Sequence, residues 1–190
     1  MTPGSVPAVE QHLVDAAIRV LAADGWDALT LERVAEEAGS SRTTLWRQGV
    51  TRESLVDALL GRLADDYRDA VWPALTGDGT GAERLRRALE ALCDVADRHL
   101  PLLAASDTAF HEASDPGSPR PTSALAPIKR LLQDGADDGS LRFEEPLLEL
   151  STVIFNTVCW TYVHLRLRHA WPPKRARAVL LDLVLRGLTP

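Results

Sequence analysis

Lysine is almost missing from this chain: of its 21 basic residues only Lys129 and Lys174 are lysine, and the rest are arginine. Against 27 acidic residues this leaves a formal net charge of −6. That balance excludes a general polyanion-coating role, but not a small basic patch, because the local field decides what a surface attracts. Cysteine is scarce too. Cys93 and Cys159 stand far apart in apolar helical stretches. They form no CxxC pair and no metal-ligand spacing, which points to a reduced, cytoplasmic setting without a disulfide framework. No long hydrophobic run is present. The longest uncharged stretch, residues 150–165, carries Ser151, Asn156 and His164, so it reads as a buried helix rather than a membrane span. The opening MTPGSVPAVEQ is polar and proline-containing, unlike a signal peptide, and residues 1–8 read as a frayed arm. Period-two alternation and internal repeats are absent, which argues against a sheet or a solenoid.

What the chain does have is helical periodicity nearly throughout. Its 190 residues, 45% hydrophobic and 25% charged, suit an ordinary globular protein of one or two domains. The spacing predicts an all-α fold of about nine helices. The first runs from about Val9 to Ala23, with Val14, Ala17, Ile18 and Leu21 on one side. Two short helices fall between Thr30 and Gln48. A long helix, with Leu55, Leu59, Leu63 and Tyr67 as a stripe, runs from about Arg52 to Val71, where Pro73 disfavours helix at Trp72. After the break at Thr76–Gly81 come helices near Glu83–Leu100, Pro101–Glu112 and Ser123–Ala136. The last two span about Pro146–His169 and Arg175–Arg186. Both carry apolar residues on more than one face, which requires cover by the rest of the domain or by a second copy.

The stretch Thr30–Glu53, TLERVAEEAGSSRTTLWRQGVTRE, organises the rest. Leu31, Val34, Ala35 and Ala38 give its first helix an apolar face. Thr30 is placed to cap that helix, Gly39 to reverse the chain, Ser40 or Ser41 to cap the next helix at Arg42–Gln48, and Thr51 to cap the one after. With Leu45 facing inward, roughly 100° per residue puts Thr43, Trp46 and Arg47 on the opposite side, with Arg42 flanking. Such a set suits a groove-reading helix. Arginine donates to guanine, the threonine methyl touches thymine, and the indole N–H and the hydroxyls of Thr30, Thr44 and Thr51 reach phosphates, as does Arg52. An ordinary helical hairpin with a solvated basic edge has the same spacing.

The segment LVDAAIRVLAADGWDALTLERVAEEAGSSRTTLWRQGVTRESLV resembles the DNA-binding domain of the TetR (tetracycline repressor) family. The match lies in Ala16-Ala17, Gly25-Trp26, Thr30, Val34-Ala35, Ala38-Gly39, Ser41, Leu45-Trp46 and Arg52-Glu53. The resemblance implies a helix-turn-helix DNA-binding domain over residues 9–53 and a helical ligand-binding and dimerisation domain over 54–190. It further implies a homodimeric repressor of a palindromic operator, released by a small-molecule inducer, in which the helix from Arg52 links pocket to DNA domain. Three positions depart from the family: Trp46 replaces a usual Tyr, Gln48-Gly49 a His-Phe pair, and Ser40 an apolar residue. Two alternatives stay in view: a TetR-like activator, and a helical small-molecule-binding or interaction protein with weakened DNA binding.

No catalytic constellation stands out, and the chain reads as a non-enzyme with no cofactor. Ser106, Asp107 and His111 lack nucleophile-elbow glycines. His99 and His111 with Asp107 or Asp115 offer a weak metal set, and separate histidines are the favoured reading. Candidate pocket residues for a mostly apolar inducer are Trp72, Cys93, Phe110, Phe155, Cys159, Trp160 and Tyr162.

Overall fold

The structure, a computed structural model, describes residues 9–105 and 124–189. All regular structure among them is helical: α1 (Gln11–Asp24), α2 (Leu31–Glu37), α3 (Arg42–Arg47), α4 (Arg52–Thr76), α5 (Gly81–Arg98), α6 (residues 100–105), α7 (Ala126–Asp137), α8 (Leu147–Leu167) and α9 (Pro173–Arg186). Among the described residues no helix is long and apolar enough to cross a membrane. The chain divides into two compact units, one ending at Leu63 and the other starting at Ala64. The division lies inside α4, ten residues beyond the boundary read from the sequence, because the first turns of α4 bury Leu55 and Leu59 with the N-terminal unit.

The N-terminal unit is built on short helices with strong ends. Thr30 accepts from the Arg33 N–H at 3.2 Å and Ser41 from the Thr44 N–H at 3.1 Å, so each N-cap satisfies a backbone donor that the helix leaves open. At α4, Thr51 and Ser54 cap reciprocally: the Ser54 N–H donates to Thr51 Oγ1 at 3.1 Å and the Thr51 N–H to Ser54 Oγ at 2.9 Å. Both α2 and α3 end in Schellman turns. Gly39 (φ +66°) and Gly49 (φ +75°) occupy the left-handed position. The closing bonds run from Ser40 N–H to Ala35 O (2.8 Å) and from Val50 N–H to Leu45 O (3.0 Å). Leu13, Ala16, Ala17, Leu29, Val34 and Leu45 fill the core.

In the C-terminal unit, α5 packs on α7, α8 and α9, and α8 also packs on α7 and α9. The close α5–α7 crossing depends on Gly81, where a methyl group would lie 2.2 Å from the Gly135 nitrogen. The α5 N-terminus is held by a capping box of Thr80 and Glu83 and by the 138–140 turn, since Asp138 accepts from the Gly81 N–H and Ser140 from the Ala82 N–H. Hydrogen bonds from the Ser140 side chain first, then from the Gly81 and Ser140 N–H groups, hold the Asp138 carboxyl below its ordinary range. Arg84 takes the Ala74 and Leu75 carbonyls at the end of α4 and pairs with Asp134 at 2.9 Å, so a cation sits where the helix dipole favours one.

Several expected boundaries move. α4 runs through Pro73 to Thr76 rather than stopping near Val71. Proline removes only one amide donor, and Asp69, whose carbonyl that donor would have met, is exposed to water, as is Pro73 itself. The loop therefore shrinks to residues 77–80, and α5 begins at Gly81 instead of Glu83. α9 starts at Pro173, two residues early, because proline is pre-shaped for a first helical turn. α6 is helical from residue 100, one before the expected start at Pro101, and the rest of its predicted length, with the DPGSPRP loop, lies outside the described residues.

Candidate nucleic-acid interface

α3 is anchored by one residue. Leu45 is fully buried, while Thr43, Arg47 and Trp46 are exposed, Trp46 to 76%. A tryptophan left that wet on a short helix has no packing role in the free chain, and its N–H and face are open to a ligand surface. Thr44 is turned differently. It is half-buried, its hydroxyl lies 2.9 Å from Ser41 Oγ, and its amide donates to the same oxygen. Its hydroxyl is engaged at the α3 cap and stands outside the row of Thr43, Trp46 and Arg47. Ser41, not Ser40, is the cap.

The arginines of this unit differ in how they are held. Arg33 is fixed, giving Nε and Nη2 to Asp24 at 3.0 and 2.8 Å and Nη1 to Glu36 at 2.8 Å. Its pKa is raised, first by the Asp24 bonds. Arg19 pairs with Glu37 at 2.7 Å. Arg42, the first residue of α3, pairs with Glu32 of α2 at 2.5 Å. Arg52 stacks its guanidinium over Trp26 at 4.8 Å and donates Nε to the Leu29 carbonyl at 3.0 Å. Beside it, the Glu53 carboxyl is held below its ordinary range by its own backbone N–H and the Thr51 hydroxyl. Arg47 has no partner among the described residues. Gln48 reaches back to Glu10 at the start of α1, Nε2 to Oε1 at 3.1 Å. Cap, glycine turn and an outward row of Thr43, Trp46 and Arg47 form a helix-turn-helix with its second helix open for a groove.

Residues 13–59 match the family model described as bacterial regulatory proteins, tetR family. A TetR transcriptional regulator from Streptomyces coelicolor is 30% identical over 94% of this chain and 97% of its own, with a TM-score of 0.62. The chain belongs to the TetR family. Two more distant solved structures share the fold. One, from Rhodococcus sp., is described as a TetR-family transcriptional regulator, with 22% identity, 92% and 97% coverage and a TM-score of 0.72. The other is a ketosteroid transcriptional regulator of Mycobacterium tuberculosis, with 21% identity, 98% and 100% coverage and a TM-score of 0.63. No curated protein sequence matches the chain.

For a TetR-family, DNA-binding regulator, Gly49 acquires a physical reading that the sequence had missed. In place of an aromatic it supplies the left-handed residue that ends α3, and Val50 and Leu45, the positions that flank such a turn, are both buried.

The residues named for a ligand pocket separate into three kinds. Cys93, Cys159 and Tyr162 are buried in the C-terminal unit. Burial pushes the two thiols up to about 12 and about 11 respectively, with Arg177 tempering the Cys93 shift. Tyr162 donates to Asp97 at 2.5 Å, and Asp97 also accepts from Arg166 Nε at 2.6 Å. Phe155 and Trp160 are half-buried, and Phe155 meets Tyr67 edge-on at 6.3 Å. Trp72 is 61% exposed, and Phe110 lies outside the described residues. A surface depression of about 330 Å³ lies elsewhere, lined by Ala82, Glu83, Arg86, Arg87, Leu185 and Thr189.

The sequence pointed to Tyr67 and His99 but not to their partners: Tyr67 donates to the Ala124 carbonyl at 3.0 Å, and Nε2 of the buried His99 lies 2.8 Å from Asp66. The Asp66–His99 partners are 33 residues apart, beyond any local pattern. Among the described residues no group of three His, Cys, Asp or Glu could hold a metal ion. His111, Asp107, Asp115 and Ser106 lie outside them.

Proposed function

We propose that this chain is a ligand-responsive repressor that binds a palindromic operator as a homodimer in the cytoplasm and is released by a small, mostly apolar inducer. The observation that carries the reading is α3: a helix seated by Leu45 that leaves Thr43, Trp46 and Arg47 in water. In this assignment Thr43 and Arg47 face bases. Arg42, Trp46, Arg52 and the Thr30, Thr44 and Thr51 hydroxyls serve phosphates. Family members are typically non-enzymatic, and no catalytic role is assigned.

Dimerisation is supported by the apolar surface that α8 and α9 leave uncovered, namely Leu148, Val153, Val179 and Leu183. The inducer is assigned to Phe155 and Trp160 of α8, with Trp72, Cys93, Phe110, Cys159 and Tyr162 as the further candidates. Coupling is assigned to α4, because the division between the two compact units lies within it.

A mobility shift on DNA from upstream of the chain's own gene, with and without metabolite extract, tests the reading. Binding that the extract abolishes is the expected outcome. An inducer that lowers operator affinity roughly 5–150-fold must itself bind more weakly, by the same factor, when operator is saturating. Binding unaffected by any extract would favour a ligand-independent regulator. Absence of DNA binding would favour a ligand-binding protein without that activity.

A further inference from the structure

We infer that Glu32 is a built-in competitor of DNA phosphate for Arg42, and that it sets both the affinity and the salt dependence of DNA binding. The inference rests on the DNA-binding reading above. Glu32 lies in the first turn of α2 and Arg42 at the first position of α3, with Arg42 Nη1 2.5 Å from Glu32 Oε1 across the glycine turn. Both side chains are in water, 68% and 57% exposed, so the pair contributes little to stability and opens readily. Arg42 gains from a nearby anion because a cation at the start of a helix opposes the helix dipole. In free protein Glu32 supplies that anion. On DNA a phosphate takes its place.

The exchange has a cost specific to this chain. Between residues 9 and 63 there are nine carboxylates and six arginines, so the unit that must approach a polyanion is itself acidic. Arg33 and Arg19 are already committed to Asp24, Glu36 and Glu37. When Arg42 leaves Glu32 for a phosphate, it releases a counterion from the DNA, but the abandoned carboxylate then faces the same backbone and recruits a cation. The net ion release from this contact is close to zero, although an arginine contacts a phosphate. Glu32 thus lowers affinity most at low salt, where repulsion is least screened, and flattens the salt dependence.

The test is a double-mutant cycle of wild type, Glu32→Gln, Arg42→Gln and the double variant, in the full chain. Affinity for a short mixed-sequence DNA duplex is read by fluorescence anisotropy across a salt series, because phosphate contacts do not depend on sequence. Glu32→Gln should bind ~3–10-fold more tightly at the lowest salt and steepen the slope of log affinity against log salt by about 0.9. In the Arg42→Gln background the same change should leave the slope unaltered. Glu36→Gln, which removes an equal charge from Arg33, serves as control. Melting temperature and helical circular dichroism report folding, and Glu32→Ala gives a second route to the same readout. An unchanged slope in Glu32→Gln, an equal gain in both Arg42 backgrounds, or an equal effect from Glu36→Gln would overturn the inference. If wild type binds no duplex at any salt, the DNA-binding reading fails and the inference fails with it.

Discussion

Arg52 lies with its guanidinium carbon 4.8 Å from the Trp26 ring centroid while its Nε donates to the Leu29 carbonyl. The first residue of α4 is therefore tied to the turn between α1 and α2, and its remaining N–H groups are left for a phosphate. The two roles separate by substitution. Arg52→Lys keeps the charge but loses the planar stack and the fixed carbonyl bond. It should lower the melting temperature by about 2–4 °C, the equivalent of about 1 kcal/mol, with the salt slope of DNA binding kept. Arg52→Ala should lose both, flattening the slope by about one unit and weakening all DNA sequences alike. A change in sequence preference in Arg52→Ala would move this residue from phosphate to base.

Arg47 is expected to behave the other way. It projects from α3 beside Thr43 and Trp46, with no partner among the described residues to release first. Arg47→Ala should relax preference at one base position at a cost of roughly 1–3 kcal/mol if the contact is bidentate. Selection from a randomised operator library, compared between wild type and variant, reads this directly. A uniform loss across all positions would assign Arg47 to the backbone instead.

The N-terminal unit was legible in the sequence because its signals are local. Thr30, Gly39, Ser41 and Thr51 act on residues three to five positions away, and the inward set around Leu45 follows from helical phase. The C-terminal unit was legible only as helices. Its polar fastenings join distant positions, as Arg84 does to Asp134 and Tyr162 to Asp97, and no short-range pattern encodes them. Pro73 misled because a proline's effect depends on whether the carbonyl it orphans reaches water. Gly49 misled because a departure from a family pattern says what is missing and not what the replacement does. Among the pocket candidates, aromatic and sulfur side chains on apolar helices look alike whether they line a cavity or fill a core, so Cys93 and Trp72 could be told apart only by burial.

The apolar surface of α8 and α9 yields a sharper test than sequence allowed. Leu180 is buried, whereas Leu183, on the same helix, is 72% exposed. A charge at Leu180 would leave an unpaired ion in the core and unfold the chain. Leu183→Glu removes no core contact and should leave helical content unchanged while converting dimers to monomers in sedimentation. A dimer that survives Leu183→Glu and Val179→Glu together would place the interface on another face. A wild-type monomer would remove it altogether.

The buried thiols give the molecule an alkaline limit. Burial raises Cys93 to about 12 and Cys159 to about 11 in the folded chain, whereas an unfolded cysteine ionises near ~8.5. The folded state therefore holds its thiol protons after the unfolded state has lost them. A group whose folded pKa is raised contributes fully below its unfolded pKa and loses that contribution as pH climbs towards the folded value. Stability should stay level from pH ~6 to ~8 and then fall, by up to ~1.4 kcal/mol per pH unit for each thiol. The steepest loss should lie between pH ~9 and ~11, where both thiols titrate in the unfolded chain alone. Tyr67 and Tyr162, also raised by burial, extend the fall to higher pH. Melting temperature against pH reads this directly, and the Cys93→Ala, Cys159→Ala double variant should show a shallower decline over the same range. An aromatic disulfide reagent at neutral pH gives an independent check. Both thiols should react only as fast as the C-terminal unit opens, with full reaction in denaturant. Rapid reaction of either cysteine in the native protein would mean that its surroundings admit water, and the alkaline decline should then lose that thiol's share.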